Sequence, residues 1–214
     1  WPHFETLDEL NKLLSTDDSV AGVIVEPIQS TFGDNHLSYK FLKGIRDLCT
    51  QYEVPLIFDE IQTGFCATGK TWFFEHLDFY PDIVIFGKKA QVCGFMTLEE
   101  FSSILQTKIL YTTWDSDLVD MIRSTYVMDV IDNQNLRESV TLGSQRFIDR
   151  LKDLDNIYNV RGKGCLIAFD FETQTKRDNF FNDLFESGML CNPTGDKSVR
   201  LRPHLTITEE EFDQ

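Results

Sequence analysis

The sequence has 214 residues, which is enough for one or two domains with a substantial core. Its formal net charge of −15 argues against binding to nucleic acids or to anionic membrane surfaces, and no apolar run is long enough to span a bilayer. The five cysteines lack metal-ligand spacing, so we expect no metal site, reduced thiols and an intracellular protein of the cytoplasm or an organelle matrix.

The first part of the chain predicts helices alternating with buried strands. Leucines at helical spacing indicate a helix over 6–15, and the apolar run 21–28 indicates a buried strand. Residues 38–52 again show helical periodicity and lead to a second apolar run at 56–58. A strand, a crossover helix and a second strand in this order favour parallel pairing with right-handed connections. The sequence therefore predicts an α/β fold with a mainly parallel sheet and flanking helices.

The C-terminal part predicts a second, smaller α+β domain that begins near Gln134. Its pattern indicates helices over 136–154 and 175–187 and strands over 165–171, 189–191 and 198–202. Before it, we expect a short helix over 97–106, a short extended piece over 108–112 and a long helix over 115–133. The chain begins without methionine and ends in what looks like an unfinished helix, so we expect an interior piece of a longer protein.

Polar side chains follow two neighbouring strands, 56–58 and 83–86, at the point where each strand ends. In open α/β sheets, ligands bind at the carboxyl ends of the strands. An acid, an amide and an amine can therefore converge on one ligand. The loops carry Asp59, Glu60 and Gln62 after the first strand, and Gly87, Lys88 and Lys89 after the second.

These residue types suit pyridoxal phosphate, which needs a lysine to form an imine and a carboxylate to keep its ring nitrogen protonated. The stretch from Pro55 to Gly94 resembles the signature of the class III aminotransferases, the ornithine and omega type. Its segment FGKKAQVCG is most similar to the lysine epsilon-aminotransferases and next to the gamma-aminobutyrate aminotransferases. The matching positions are Ile57-Phe58, Asp59-Glu60, Gln62-Thr63-Gly64, Thr68-Gly69, Asp82 and Gly87-Lys88, and the resemblance extends from EPIQ at Glu26 to VRLRP at Val199.

The resemblance implies a fold type I aminotransferase-like architecture. Residues 1–133 would form the C-terminal part of a large cofactor-binding domain, and residues 134–214 a truncated small domain. It also implies a pyridoxal-phosphate enzyme that transfers the distal amine of a lysine-like amino acid to 2-oxoglutarate, and that works as a homodimer or a larger assembly.

Three residues of the two loops take cofactor roles by resemblance. Lys88, and not Lys89, would bind the cofactor covalently, because the family places a glycine directly before the reactive lysine. Asp59 would hold the ring nitrogen, and Gln62 would bind the phenolic oxygen. Without the family, Lys88 reads as a solvated lysine, and Asp59 and Gln62 as residues that stabilise turns. Glu60 is expected to be structural.

The resemblance also implies phosphate or substrate contacts at three further positions. Thr113 matches the family position that reaches the phosphate of the neighbouring subunit, although alone it reads as a helix N-cap. Arg200 matches the substrate-side arginine that pairs with an active-site glutamate, and Thr31 stands where that glutamate would be. Arg200 and Arg202 could instead be solvated residues of an edge strand.

One departure keeps a second function open. The family's N-terminal half is missing, and no glycine-rich phosphate loop replaces it in this chain. The alternative to an enzyme is therefore a catalytically inactive subunit that keeps the aminotransferase fold for a structural or assembly role.

Overall fold

The computed structural model describes residues 2–101 and 117–212 of the chain. The helices are α1 (Leu7–Thr16), α2 (Tyr39–Gln51), α3 (Leu118–Asn133), α4 (Leu136–Lys152), α5 (Gln174–Glu186) and α6 (Glu209–Phe212). The strands are β1 (Val23–Val25), β2 (Ile28–Gln29), β3 (Asn35–His36), β4 (Leu56–Asp59), β5 (Ile83–Phe86), β6 (Gly94–Thr97), β7 (Tyr158–Lys163), β8 (Leu166–Asp170), β9 (Asn192–Thr194) and β10 (Ser198–Leu201). Short 3-10 helices cover Phe73–His76 and Lys88–Ala90.

The first sheet has the strand order β1-β4-β5-β6. β1, β4 and β5 are parallel, whereas β6 runs antiparallel to β5. Helices α1 and α2 bury their apolar residues with those of β1 and β4, and Ile45, Leu56 and Phe58 are fully buried in this core. Parallel pairing brings the carboxyl ends of β1, β4 and β5 to one edge of the sheet, which is where the predicted site lies.

The second sheet is antiparallel, with the order β7-β8-β10-β9. Its core combines apolar side chains of α4, α5, β8 and β10. A third, two-stranded sheet pairs β2 with β3, so that residues 30–34 form the turn of a small hairpin. This turn, here called the β2–β3 loop, lies against the second sheet and joins it to the first.

The structure confirms the α/β prediction and corrects several details. The strand predicted over 189–191 is wrong, because the strand in this part of the chain begins only at Asn192. Sequence analysis missed β6, and Thr97, where a helix was expected to begin, instead ends this strand. It also missed most of β7, whose residues are only partly buried and lack clear alternation. β10 lies between β8 and β9, so the edge-strand interpretation of Arg200 and Arg202 is wrong. The boundary near Gln134 stays a prediction.

No helix among residues 2–101 and 117–212 combines the length and the apolar composition needed to cross a bilayer.

Gly164, in the turn between β7 and β8, allows this turn to pack on the loop that follows Gly64. Its φ is +59°, and an added Cβ would lie 2.4 Å from the Ala67 carbonyl oxygen and 2.6 Å from the Thr68 Cα. Both obstacles are backbone atoms that cannot move independently. Gly164→Ala should therefore lower the free energy of unfolding by about 2–4 kcal/mol, measured by urea denaturation.

Gly188 provides the matched control for this substitution. It also has a positive φ, +87°, but none of the described residues lies within 4 Å of an added Cβ. Gly188→Ala should lower the free energy of unfolding by about 1 kcal/mol, from backbone strain alone. Equal losses in the two variants would contradict the close approach at Gly164.

Candidate active site

Three neighbouring parallel strands end in ionisable side chains. Val25 of β1 is level with Phe58 of β4, so the next residues, Glu26 and Asp59, are adjacent at the sheet edge. β5 ends at Phe86, and Lys88 follows it after Gly87. The charges of Asp59 and Lys88 both act on Glu26, which brings two acids and one amine into the same electrostatic environment. The predicted convergence of Asp59 and Lys88 is thus present in the fold.

Asp59 is partly buried and has one carboxylate oxygen engaged locally. Its Oδ1 accepts a hydrogen bond from the Ile61 backbone N–H at 3.0 Å. Asp59 and Glu26 line a cleft of about 1170 Å³ that continues to the second sheet. A carboxylate that lines a cleft and has one oxygen anchored is suited to hold a protonated ring nitrogen.

Glu60, the next residue, has its side chain directed into the protein. Its carboxylate accepts hydrogen bonds from the Thr63 hydroxyl at 3.0 Å and from the backbone N–H groups of Phe73 and Phe74 at 2.5 and 3.1 Å. Only 1% of Glu60 is exposed, and burial raises its pKa to about 7, although the backbone hydrogen bonds act in the opposite direction. These contacts agree with the structural role expected for Glu60.

Lys88 and Lys89 have different surroundings. Lys88 is exposed and begins a 3-10 helix with a φ of +49°, directly after the buried Gly87. Lys89 is partly buried beside Cys165, and this burial lowers its pKa. Lys88 therefore lies on the side of the two carboxylates, whereas Lys89 lies against buried thiols.

Two of the predicted cofactor residues have less structural support. Gln62 is half-buried in the turn after β4, between Asp59 and the buried Thr63 and Gly64. Its hydrogen bond to the cofactor stays a prediction. Thr113 lies outside the described residues, so its contact with a phosphate also stays a prediction.

Arg200 binds the β2–β3 loop at Ser30, the residue before Thr31. Arg200 Nη1 donates a hydrogen bond to the Ser30 carbonyl at 2.8 Å, and its Nε is buried without a partner among the described residues. Thr31 is exposed, and its carbonyl accepts a hydrogen bond from the Thr194 hydroxyl at 3.2 Å. Within 2–101 and 117–212, no carboxylate forms an ion pair with Arg200. The loss of an anionic partner for Arg200 at Thr31 stays a prediction.

Arg202 contacts the β2–β3 loop through Asp34. Both of its terminal nitrogens bind the carboxylate of Asp34, Nη1 at 2.8 Å, and Asp34 is fully buried. Arg161 donates to the carbonyls of Gly33 and Asp34 and pairs with Asp170 at 2.8 Å. These bonds fix the β2–β3 loop to the second sheet.

Sequence analysis did not identify Asp34, Arg161 or Thr194 as residues that hold this loop. The only local signal was Gly33-Asp34, a turn-forming pair in which both residues have positive φ. The partners are more than 120 residues apart along the chain, and no sequence pattern reveals such a contact.

The sequence profile of the class-III aminotransferases matches residues 3–214. The chain belongs to this family. It is 35% identical over 204 residues to the L-lysine-epsilon aminotransferase of Mycobacterium tuberculosis, covering 91% of this chain and 45% of that protein. It is 39% identical over 204 residues to the 4-aminobutyrate aminotransferase of Kluyveromyces lactis, covering 91% and 43%. The chain therefore spans about half the length of the curated relatives that it matches.

Solved structures of class-III aminotransferases show the same fold. A lysine aminotransferase from M. tuberculosis in the internal aldimine form superposes with a TM-score of 0.92 at 33% identity, covering 97% of this chain and 50% of that one. The ornithine delta-aminotransferase of Plasmodium falciparum gives 0.88 at 28% identity, covering 100% of this chain and 58% of that one. These matches confirm the family and the fold predicted from sequence.

Family membership indicates pyridoxal phosphate as the cofactor. The donor set of this chain fits two ends of that molecule. Asp59 lines the cleft with a carboxylate suited to a protonated ring nitrogen, and Lys88, exposed after the neighbouring strand, carries a primary amine suited to an aldehyde. The described residues thus match both the basic and the electrophilic groups of the cofactor.

Proposed function

We propose that this chain carries the lysine-bearing part of a pyridoxal-phosphate-dependent transaminase. The observation that supports this most directly is the placement of Asp59 and Lys88 at the carboxyl ends of two adjacent parallel strands. A solvated lysine and an unrelated turn carboxylate would have no reason to share this edge with Glu26. The named relatives are aminotransferases, which favours this function over the inactive-subunit alternative.

The chemistry divides among a few side chains. When bound, pyridoxal phosphate supplies an electron sink that makes a proton next to the substrate nitrogen removable. Asp59 stabilises the proton on the ring nitrogen through its negative charge. The Lys88 amine would hold the cofactor covalently, and it would accept and return the substrate proton as general base and acid. Gln62 donates a hydrogen bond to the phenolic oxygen.

The remaining parts of the proposal concern the assembled enzyme. Residues 1–133 form the C-terminal part of the cofactor domain, and residues 134–214 part of the small domain. The enzyme acts as a homodimer or a larger assembly in the cytoplasm or an organelle matrix, and Thr113 reaches a phosphate across the subunit interface. The amino donor carries a distal amine, as lysine does, and 2-oxoglutarate is the acceptor.

Donor choice can be measured by glutamate formation from 2-oxoglutarate in the presence of pyridoxal phosphate. We expect L-lysine to give the highest kcat/KM, ahead of L-ornithine and 4-aminobutyrate, because lysine aminotransferases are among the relatives that this chain matches. A higher value with 4-aminobutyrate would contradict the donor assignment while leaving transamination in place. Absence of glutamate with every donor would contradict the enzyme.

Arg200 gives a separate prediction about carboxylate recognition. Since Thr31 provides no charge to pair with it, Arg200 should attract the carboxylates of substrates and inhibitors throughout the catalytic cycle. Thr31→Glu introduces a competing carboxylate at the β2–β3 loop and should weaken glutarate binding by about tenfold, or about 1.4 kcal/mol. Isothermal calorimetry gives the dissociation constant.

Thr31→Gln is the matched control, because it adds the same side-chain length without the charge. It should keep glutarate affinity within about twofold. If Thr31→Glu leaves the affinity unchanged, Thr31 and Arg200 are not coupled.

A further inference from the structure

Arg200 and Arg202 bind the same residue of the β2–β3 loop. Arg200 Nη1 donates a hydrogen bond to the Ser30 carbonyl at 2.8 Å, and Arg202 Nη2 donates one to the Ser30 hydroxyl at 3.4 Å. Arg200 lies in β10 and Arg202 directly follows this strand, and side chains two residues apart along an extended segment point to the same side. The two guanidinium groups therefore share one environment beside Ser30.

Two carboxylates lie where this loop meets the second sheet, and each has an arginine of its own. Both terminal nitrogens of Arg202 bind the carboxylate of Asp34, Nη1 at 2.8 Å. Arg161 Nη1 pairs with Asp170 at 2.8 Å. Asp34 is fully buried, so its negative charge depends on Arg202 for compensation.

Arg200 is left without an anion in this arrangement. In the part of the chain that the structure describes, no carboxylate pairs with Arg200, and its buried Nε has no hydrogen-bond partner. A partly buried guanidinium without a counter-charge attracts any carboxylate that can reach it. Asp34 is the carboxylate to consider first, because the arginine that holds it contacts Ser30 just as Arg200 does.

We propose that Arg202 is a positioning residue for substrate binding. By holding Asp34, it prevents this carboxylate from pairing with Arg200, which stays available for the carboxylate of a substrate. The inference rests on the proposed function, which assigns Arg200 to the substrate side. The β2–β3 loop then offers Arg200 no competing charge at either end, because Thr31 is uncharged and Asp34 is neutralised.

A single and a double substitution test the competition. Arg202→Met releases Asp34 and should weaken glutarate binding by at least about tenfold, measured by isothermal calorimetry, because Asp34 then competes for Arg200. Adding Asp34→Asn removes the competing charge and keeps a side chain of the same size, which tolerates the φ of +55° at this position. The double variant should return to within about threefold of the wild-type glutarate affinity.

This rescue distinguishes competition from simple support of the loop. The double variant also lacks the ion pair between Arg202 and Asp34, so glutarate binding would stay weak if the pair only fixed the loop. Arg46→Met is the matched control, because Arg46 of α2 likewise loses a partly buried ion pair, with Asp82 at 2.7 Å. It should keep glutarate affinity within about twofold.

A measurement on the wild-type chain does not depend on the folding of any variant. In ¹⁵N NMR spectra of the arginine Nε–H groups, glutarate should shift the resonance of Arg200. The resonance of Arg202 should stay in place, because Arg202 remains bound to Asp34. A shift of the Arg202 resonance without one of Arg200 would overturn the inference.

Failure of the inference and failure of the proposed function give different results. Unchanged glutarate binding in Arg202→Met, or a loss that Asp34→Asn does not restore, would overturn the inference while transamination by the wild-type chain still stands. Absence of glutarate binding to the wild-type chain would overturn it as well. The proposed function itself would fail if the wild-type chain formed no glutamate with any donor.

Discussion

Replacing Glu60 by alanine at about pH 5 should lower the free energy of unfolding by about 3–5 kcal/mol. The Glu60 carboxyl group, protonated at this pH, accepts hydrogen bonds from the Thr63 hydroxyl and from the N–H groups of Phe73 and Phe74, and the burial of Glu60 leaves little room for water to take its place. Alanine leaves these donors without a partner and adds a cavity. Urea denaturation followed by circular dichroism measures the loss.

Glu60→Gln is the control, because it keeps one acceptor oxygen and nearly the same volume. We expect about half the loss seen with alanine. Equal stability of the alanine variant and wild type would show that the turn after β4 does not depend on Glu60.

The pH dependence of this control follows from the raised pKa of Glu60, about 7 against a usual 4.5. The folded state binds the proton of the Glu60 carboxyl group more tightly than the unfolded state does. The contribution of this proton to the free energy of unfolding is therefore complete below pH 4.5 and decreases as pH rises through 7. The stability advantage of wild type over Glu60→Gln should fall by about 3 kcal/mol between pH 4.5 and pH 8. If the stability advantage of wild type instead grew with pH, the pKa of Glu60 would be lowered and not raised by folding.

The sequence predicts which strand ends carry the proposed site because their position depends on local pattern. Two apolar runs separated by helical residues imply parallel strands, and parallel strands place their carboxyl ends together. The pattern alone therefore places Asp59 and Lys88 near each other. Glu26 ends the first strand of the same sheet, and the same argument could have included it.

The β2–β3 loop could not be predicted in this way. Its conformation depends on Arg161, Thr194 and Arg202, which come from the second sheet and are distant in sequence. Short strands such as β6 were missed because pairing with β5, and not their own composition, makes them strands. Tertiary contacts decide such elements, and a single sequence does not contain a readable signal for them.

The choice between Lys88 and Lys89 depends both on the local sequence pattern and on the surroundings that the fold gives each lysine. Burial lowers the pKa of Lys89, which would make its amine the better nucleophile if protonation alone decided. However, Lys89 faces Cys66, Cys165 and Arg202, whereas Lys88 shares the sheet edge with Glu26 and Asp59. If Asp59 and a lysine hold the cofactor as proposed, Lys88 is the amine that follows the strand next to Asp59. The position of Lys88 near Asp59 therefore counts for more than the lowered pKa of Lys89.

Lys88→Ala should consequently remove covalent labelling when the chain is reduced with borohydride in the presence of pyridoxal phosphate. We expect at least about a hundredfold less label at this site, because Lys88 is the amine that shares the sheet edge with Asp59. Lys89→Ala should retain the label within about twofold and serves as the control for lost charge and folding. Peptide mapping by mass spectrometry locates the modified residue. A label on Lys89 with Lys88 free would overturn the assignment, because the cofactor would then have to lie on the side of the buried thiols.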